Sequence, residues 1–251
     1  MDFEEKISNL AGLVRQASGR AFALTGAGVS TESGIPDYRS PGTGLWTKHD
    51  PAKTASLSAL RRDPALFYST NLKRWTSYSA VKPNRAHYAL ARLEKLRHLV
   101  GVITQNIDGL HIKAGSKRVW EVHGHLRTCR CLQCRRQYPF EELTCQVESG
   151  LNPPLCPDCR GVLRPDVVLF EDSMSSDYHR AEKALSGCQL LLVAGSSLQV
   201  YPVAGLPVLA RHVAVINQEA TPWDERASLV IRGSAGEILD ALARVLEPGQ
   251  G

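Results

Sequence analysis

The chain has 251 residues, 43% of them hydrophobic and 22% charged, which is ordinary globular composition and excludes a chain dominated by disorder. Thirty Lys and Arg against 25 Asp and Glu leave a net charge of +5, short of the clustered excess that marks a nucleic-acid binder, so a nucleic-acid partner is not expected. The acidic start, Met1-Asp-Phe-Glu-Glu-Lys6, is unlike a secretory leader, and apolar runs such as Leu190–Ala194 are far too short to span a bilayer; the expectation is a soluble, cytoplasmic protein without a membrane partner. Of seven cysteines, six lie from Cys129 to Cys159 inclusive, a pattern that suits a metal site in a reducing compartment better than a disulfide framework.

Phe3, Ile7, Leu10, Val14 and Ala17 recur every three or four residues and predict an amphipathic helix over 3–17. Residues 20–25 form a short apolar strand that runs straight into Gly26-Ala-Gly-Val-Ser30. Pro36, Pro41, Gly42, Gly44 and Pro51 then break the pattern before a helical stretch around Ala65–Trp75, which reads as an insertion and not as a second regular βαβ turn. Asn84 is placed to cap a helix whose apolar face carries Leu90, Leu93 and Leu96. Further strands are predicted at 99–103, 119–122, 167–170, 190–194, 213–217 and 229–231. Apolar strands alternating with helices predict an α/β fold, a Rossmann-like doubly wound parallel sheet, with ligands at the carboxyl ends of the strands.

Three of those strand ends carry ligand-type loops. Gly26-Ala-Gly-Val-Ser30 can bring backbone N–H groups close to a phosphate, although it lacks the third glycine of the usual dinucleotide fingerprint. Gly195-Ser-Ser197 and Asn217-Gln-Glu219 follow two other strands and offer polar groups for ribose hydroxyls. Cys131-x2-Cys134 and Cys156-x2-Cys159, 21 residues apart, are two knuckles of the kind that close a tetrahedral four-cysteine zinc site. Four thiolates leave no open position for water, so such a zinc is structural; Cys129 is a rival ligand with poorer spacing, and Cys145 and Cys188 have no partner pattern. His123 precedes Gly124 on a strand-end loop, yet His87, His111 and His125 have equal claims as an acid–base residue on composition alone.

Taken in order, Gly26-Ala-Gly-Val-Ser30, Gly34-Ile-Pro-Asp-Tyr-Arg-Ser40, Thr104-Gln-Asn-Ile-Asp-Gly-Leu-His111, His123-Gly124, the two Cys knuckles, Leu163–Phe170, Gly195-Ser-Ser-Leu198 and Ile216-Asn-Gln-Glu219 resemble the sirtuins, NAD-dependent protein-lysine deacylases, of the bacterial type. The resemblance implies a Rossmann-like domain over 1–40, 84–123 and 163–251. It also implies a smaller domain made of a helical insertion, 41–83, and a zinc-binding insertion, 124–162. It implies deacetylation of acyl-lysine proteins or peptides, with release of nicotinamide and O-acetyl-ADP-ribose. NAD would contact Gly26, Ala27, Ser30, Tyr38, Arg39, Gln105, Gly195, Ser196, Ser197, Asn217 and Glu219, with nicotinamide near Ile35, Asp37, Ile107 and Asp108. Asn106 and Asp108 would orient the nicotinamide ribose, and His123 would act as general base, taking a proton from the ribose hydroxyls. The peptide would add as a strand along Val167, Val168, Leu169 and Phe170, and Cys131, Cys134, Cys156 and Cys159 would hold zinc.

Two departures stand out. Phe170-Glu171-Asp172 replaces the usual Phe-Gly-Glu, giving a bulkier and more acidic peptide-side loop. Tyr68-Ser-Thr-Asn71 resembles the Tyr-x-x-Arg of family members that prefer succinyl and malonyl groups, but Asn71 cannot grip a carboxylate as Arg would, so neutral acyl groups are expected, acetyl first. Rival readings are a mono-ADP-ribosyltransferase or NAD hydrolase on the same fold, and a non-catalytic zinc-ribbon adaptor using the basic residues Arg127, Arg130, Arg135 and Arg136.

Overall fold

The computed structural model describes residues 2–38, 44 and 54–247. Helix α1 (Phe3–Gln16) starts where the Asp2 side chain accepts from the Glu5 N–H, carries Glu4 and Glu5 in its first turn and Arg15 in its last, and buries Ile7, Leu10, Ala11 and Val14, in accord with the sequence periodicity and the helix dipole. Strand β1 (Ala21–Thr25) is wholly buried and leads into a 3-10 turn over Ala27–Ser33. Helices α2 (Leu57–Arg62) and α3 (Pro64–Ser77) follow, α3 being the helical stretch expected around 65–75. Asn84 caps α4 (Arg85–Lys95) by accepting from the Ala86 N–H.

Strand β2 is shorter and later than expected, Val102–Thr104, and is followed by α5 (Leu110–Lys113) and β3 (Val119–Glu121). Strands β4 (Gly124–Cys131) and β5 (Gln137–Pro139), helix α6 (Phe140–Glu148) and strand β6 (Leu163–Val167) build the cysteine-bearing segment. The chain then runs through α7 (Ser176–Ala184), β7 (Leu190–Ala194), β8 (His212–Asn217), β9 (Leu229–Arg232) and α8 (Ala235–Val245).

Six strands form a parallel sheet in the order β3-β2-β1-β7-β8-β9, the doubly wound arrangement expected, with its switch point between β1 and β7. Alternate residues of each strand feed the two faces. Ala21, Ala23, Leu190 and Leu192 pack with α1, α4 and α8, whereas Phe22, Leu24, Leu191 and Val193 pack with Tyr178 and Ala181 of α7, with Leu185 just after it, and with Val203 and Leu206. A third core joins Phe67, Tyr68, Leu72 and Trp75 of α3 to Leu143 of α6 and to Cys129, Cys131 and Leu163 of a three-stranded antiparallel sheet, β5-β4-β6. The segment 167–170, expected as a buried strand of the main sheet, is not one: β6 ends at Val167 in the small sheet, and Val168–Phe170 leaves it as an edge. The apolar run was ambiguous because an edge facing a pocket needs as many apolar side chains as a buried strand.

Gly124 is the joint between the two sheets. Its φ is +78°, and a Cβ there would lie 2.1 Å from the Asp166 carbonyl oxygen and 2.9 Å from the Val167 Cα. Gly124→Ala must therefore push β4 off β6 as well as adopt a left-handed backbone, and a loss of about 2 kcal/mol or more is expected in urea unfolding; an unchanged midpoint would show that the joint can give.

Candidate functional site

A pocket opens at the switch point. Its floor and one wall come from the strand-end loops: Gly26 and Ala27 after β1, Gln105, Asn106 and Ile107 after β2, Gly195, Ser196 and Ser197 after β7, and Asn217 and Glu219 after β8. Asp37 and Tyr38, His123, and the edge Val167, Val168, Leu169 and Phe170 complete it. Residues as far apart in the chain as Gly26 and Glu219 thus converge on one cavity.

The glycines serve each other first. A Cβ on Gly26 would meet the Gly195 carbonyl at 2.8 Å, one on Gly28 the Gly195 Cα at 2.8 Å, and one on Gly195, whose φ is +58°, the Val29 nitrogen at 2.4 Å. Two loops from adjacent strands pack back to back, and only glycine lets them do so while keeping their amides toward the pocket. The Gln105 side chain ties a third loop to them, donating to the Ser196 hydroxyl at 2.8 Å, and Asn217 donates to the Glu219 carbonyl at 2.8 Å.

Some expected contacts lie one layer behind the wall. Ser30 is fully buried, donates to Asp108 at 2.8 Å and accepts from Asn106 Nδ2 at 3.0 Å; Asn106 also donates to the Gly26 carbonyl at 3.1 Å. Asp108 accepts from the Leu110 N–H, and burial raises its pKa against the pull of that bond and of Ser30. Ile35 is buried in the small core. Arg39 falls outside the described residues.

His123 is the histidine on the pocket wall. Its Nδ1 faces the Gln105 carbonyl at 3.1 Å; a carbonyl only accepts, so Nδ1 carries the hydrogen and Nε2 keeps its lone pair. Burial pushes the pKa down to about 4, the Gln105 carbonyl pulling the other way, so the ring is neutral near pH 7. The other histidines with equal claims on composition are occupied elsewhere. His111 is buried against the Thr25 hydroxyl at 2.9 Å, His87 is tied to Asn84 beside it, and His125 points from β4 outside the pocket lining.

The acyl-side wall differs from expectation. Tyr68 is fully buried and donates to the Leu163 carbonyl at 2.5 Å, away from the pocket. Asn71 reaches the wall, but its amide is spent on the Thr54 and Phe67 carbonyls at 2.7 and 3.0 Å. The residue that sequence reasoning missed is Arg74, one turn further along α3. It lines the pocket, donates to Asn71 Oδ1 at 2.9 Å and lies over the Tyr38 ring at 5.9 Å. A helical spacing of three from Asn71 was the signal available.

The Sγ atoms of Cys131, Cys134, Cys156 and Cys159 lie within 4.8 Å of one another, with Cys131 and Cys159 at 3.4 Å and Cys134 and Cys156 at 3.7 Å. Tetrahedral thiolates around zinc stand about 3.8 Å apart, so the cluster fits that ion. Amides of Gln133 and Cys134 donate to the Cys131 sulfur, and the Tyr138 hydroxyl lies 3.0 Å from the Cys156 sulfur, arrangements that favour thiolates. Cys129 is buried with its thiol donating to the Pro139 carbonyl and is not among the four thiols whose sulfurs gather within 4.8 Å of one another, so it is not the rival ligand its position in the sequence allowed.

Among known proteins, the sequence profile of the Sir2 family matches residues 26–202. The "NAD-dependent protein deacetylase 2" of Caldanaerobacter subterraneus subsp. tengcongensis is 46% identical over 239 residues, 95% of each chain. The "NAD-dependent protein deacetylase" of Caldivirga maquilingensis is 45% identical over 234 residues, 92% of this chain and 90% of its own. A solved Sir2–peptide–NAD complex superposes with a TM-score of 0.87 at 33% identity, covering 96% of this chain and 98% of that one. A Sir2 enzyme bound to an acetylated peptide does so with the same score at 32% identity and the same coverage. Because the match runs from the first glycine loop to the far rim of the pocket, and the likeness extends over nearly the whole chain, the chain belongs to the Sir2 family.

Proposed function

We propose that the chain is an NAD-dependent protein-lysine deacetylase that yields nicotinamide and O-acetyl-ADP-ribose. The observation that carries this is a neutral His123, with Nδ1 committed to Gln105 and Nε2 unprotonated, on the wall between the glycine loops and the Val168–Phe170 edge. NAD, when bound, supplies a glycosidic bond whose loss drives transfer of the acyl group. The chain's own part is positioning. Gly26, Ala27, Gly195, Ser196, Ser197 and Asn217 offer amides and polar side chains for phosphate and ribose, with Glu219 beside them, while Asp37, Tyr38 and Ile107 wall the nicotinamide end. Asn106 is held by Gly26 and Ser30, and Asp108 acts through Ser30. His123 Nε2 accepts a ribose-hydroxyl proton. An acyl-lysine peptide or protein adds along the Val167–Phe170 edge, as peptides occupy the solved relatives.

Two features support the domain division given above, the main sheet and a separate core shared by α3 and the cysteine-bearing segment, but β6 (Leu163–Val167), which that division gives to the Rossmann-like domain, pairs with β4 in the small sheet. Four clustered thiols without a disulfide suit a reducing cytoplasm, and no helix among the described residues is long and apolar enough to cross a membrane. Nucleic acid is not a partner in this account. Arg127 pairs with Glu121, Arg130 with Asp166 and Arg136 with Asp158, so most of the basic patch that favoured an adaptor is neutralised.

His123→Ala should cut deacetylation on the order of 100-fold, the scale of a lost general base, while NAD still binds; equal release of nicotinamide and deacetylated peptide by the wild type separates this activity from NAD hydrolysis. Near-normal turnover in the variant would remove His123 from the chemistry.

Metal analysis should find about one zinc per chain. Cys159→Ser should lose it and lower the unfolding temperature, since a closed thiolate site contributes its binding energy to folding. A zinc-free, fully folded and active wild type would refute the assignment.

Acetyl-lysine should exceed succinyl-lysine in kcat/KM on one peptide at one NAD concentration. Among the described residues the wall carries the cation Arg74, which already donates to Asn71; a carboxylate must compete for it after desolvation. Asn71→Arg would break the bonds to Thr54 and Phe67, so the informative variant is Arg74→Met, which should abolish whatever succinyl turnover exists. Equal efficiency for the two acyl groups would overturn the preference.

A further inference from the structure

The peptide-side loop contains a residue whose backbone and side chain both face a cost unless they share a purpose. Glu171 has φ +75°, a left-handed conformation that costs a non-glycine residue about 1–2 kcal/mol. Its carboxylate reaches across 113 residues of chain to α2, where Oε2 accepts from the Ser58 N–H at 2.9 Å and Oε1 from the Ser58 hydroxyl at 2.8 Å. Next to it, Phe170 pairs with the same segment, its N–H donating to the Ala55 carbonyl at 2.9 Å and its carbonyl accepting from the Leu57 N–H at 3.0 Å.

A helix leaves its first N–H groups without intrahelical partners. In α2 the Ser56 hydroxyl accepts from Ala59 at 3.1 Å, and the preceding two amides, Leu57 and Ser58, are satisfied by Phe170 and Glu171. The first turn of the helical insertion is thus completed by the loop that continues the peptide edge. On the other side, Asp172 pairs with Arg164 at 2.6 Å and accepts from the Leu169 N–H at 2.9 Å.

We propose that Glu171 is a positioning residue for the substrate peptide: its side chain, clasped to Ser58, holds the Val168–Phe170 edge in the extended form that a peptide strand requires, before peptide arrives. This rests on the deacetylase function proposed above. An edge ordered in advance does not have to be ordered at binding, so the clasp acts on peptide affinity and not on the chemical step. The left-handed turn is the conformation from which the carboxylate reaches Ser58; glycine would take that turn more easily but has no carboxylate to deliver.

Steady-state kinetics with an acetyl-lysine peptide at saturating NAD tests this. Glu171→Ala, which removes both bonds to Ser58, should raise the peptide KM about 5-fold, the scale of one net hydrogen bond, with kcat and the KM for NAD unchanged; Ser58→Ala, which loses the hydroxyl bond and keeps the N–H bond, should raise it less. The double variant should show no more than Glu171→Ala alone, and Glu171→Gln, which still accepts from the Ser58 N–H, should restore most of the wild-type value. Glu171→Gly should raise KM equally while its unfolding temperature stays level or rises, which separates loss of the clasp from loss of fold. Unchanged KM in these variants, additive effects, or a fall in kcat alone would overturn the clasp. Amide hydrogen exchange gives a readout independent of turnover: the Ser58 N–H should exchange faster in Glu171→Ala than in the wild type, and equal exchange would also refute it. A wild type that does not deacetylate peptide but shows this protection would instead refute the deacetylase proposal and leave the clasp standing.

Discussion

Everything at the pocket depends on two turns that almost collide. The loop after β1 and the loop after β7 meet where a single added methyl carbon would stand 2.4 Å from a backbone nitrogen. These strands are neighbours in the sheet, yet the chain leaves them toward opposite faces: Val29 enters the core under α1, α4 and α8, while Leu198 and Val203 enter the core under α7. The sheet must open between two such departures, and the absence of side chains lets the loops line the opening and still touch.

Polar groups at the rim are committed in a way that leaves little to reorganise. Gln105 uses its carbonyl for His123 and its amide for Ser196; one residue therefore fixes both the tautomer of the imidazole and the relation between the β2 and β7 ends. Behind the wall, Ser30 collects Asp108 and Asn106. Preorganised dipoles of this kind stabilise developing charge without the reorganisation that water would need.

The far wall belongs to a second body with its own core. The helical insertion contributes the aromatic cluster of Phe67, Tyr68 and Trp75, and the cysteine-bearing segment contributes Leu143 and Leu163. Neither has enough apolar surface to fold alone at that size. The Tyr68 hydroxyl bond to Leu163 and the pairing of residues 55–57 with Phe170 stitch them together, with the cysteine cluster closing the outer end. Gly124 then connects this body to the sheet immediately beside His123, which makes a backbone requirement and a chemical group neighbours in the chain.

Local patterns in the amino-acid sequence were sufficient for the parallel sheet, for α1, α3 and α4 with its Asn84 cap, and for the four cysteines, because periodicity, caps and short ligand spacings are properties of adjacent residues. They were also sufficient, through the ordered motifs, for the family and for many of the residues that line the pocket, though Ser30, Ile35 and Asp108 lie outside its lining. Composition alone could not distinguish His123 from His87, His111 and His125, a choice made only by the family resemblance, since it rests physically on which ring finds a carbonyl and which finds a hydroxyl from elsewhere in the chain. Local patterns placed Val168–Phe170 in the wrong sheet, directed attention to Tyr68 and Asn71 where Arg74 faces the cavity, and left Glu171 as an unexplained acid. Each of these was decided by a contact beyond the reach of local pattern, Tyr68 with Leu163 across 95 residues, Asn71 with Thr54 across 17 and Glu171 with Ser58 across 113, and such a hydrogen bond exists only once packing has brought its donor and acceptor within 3 Å.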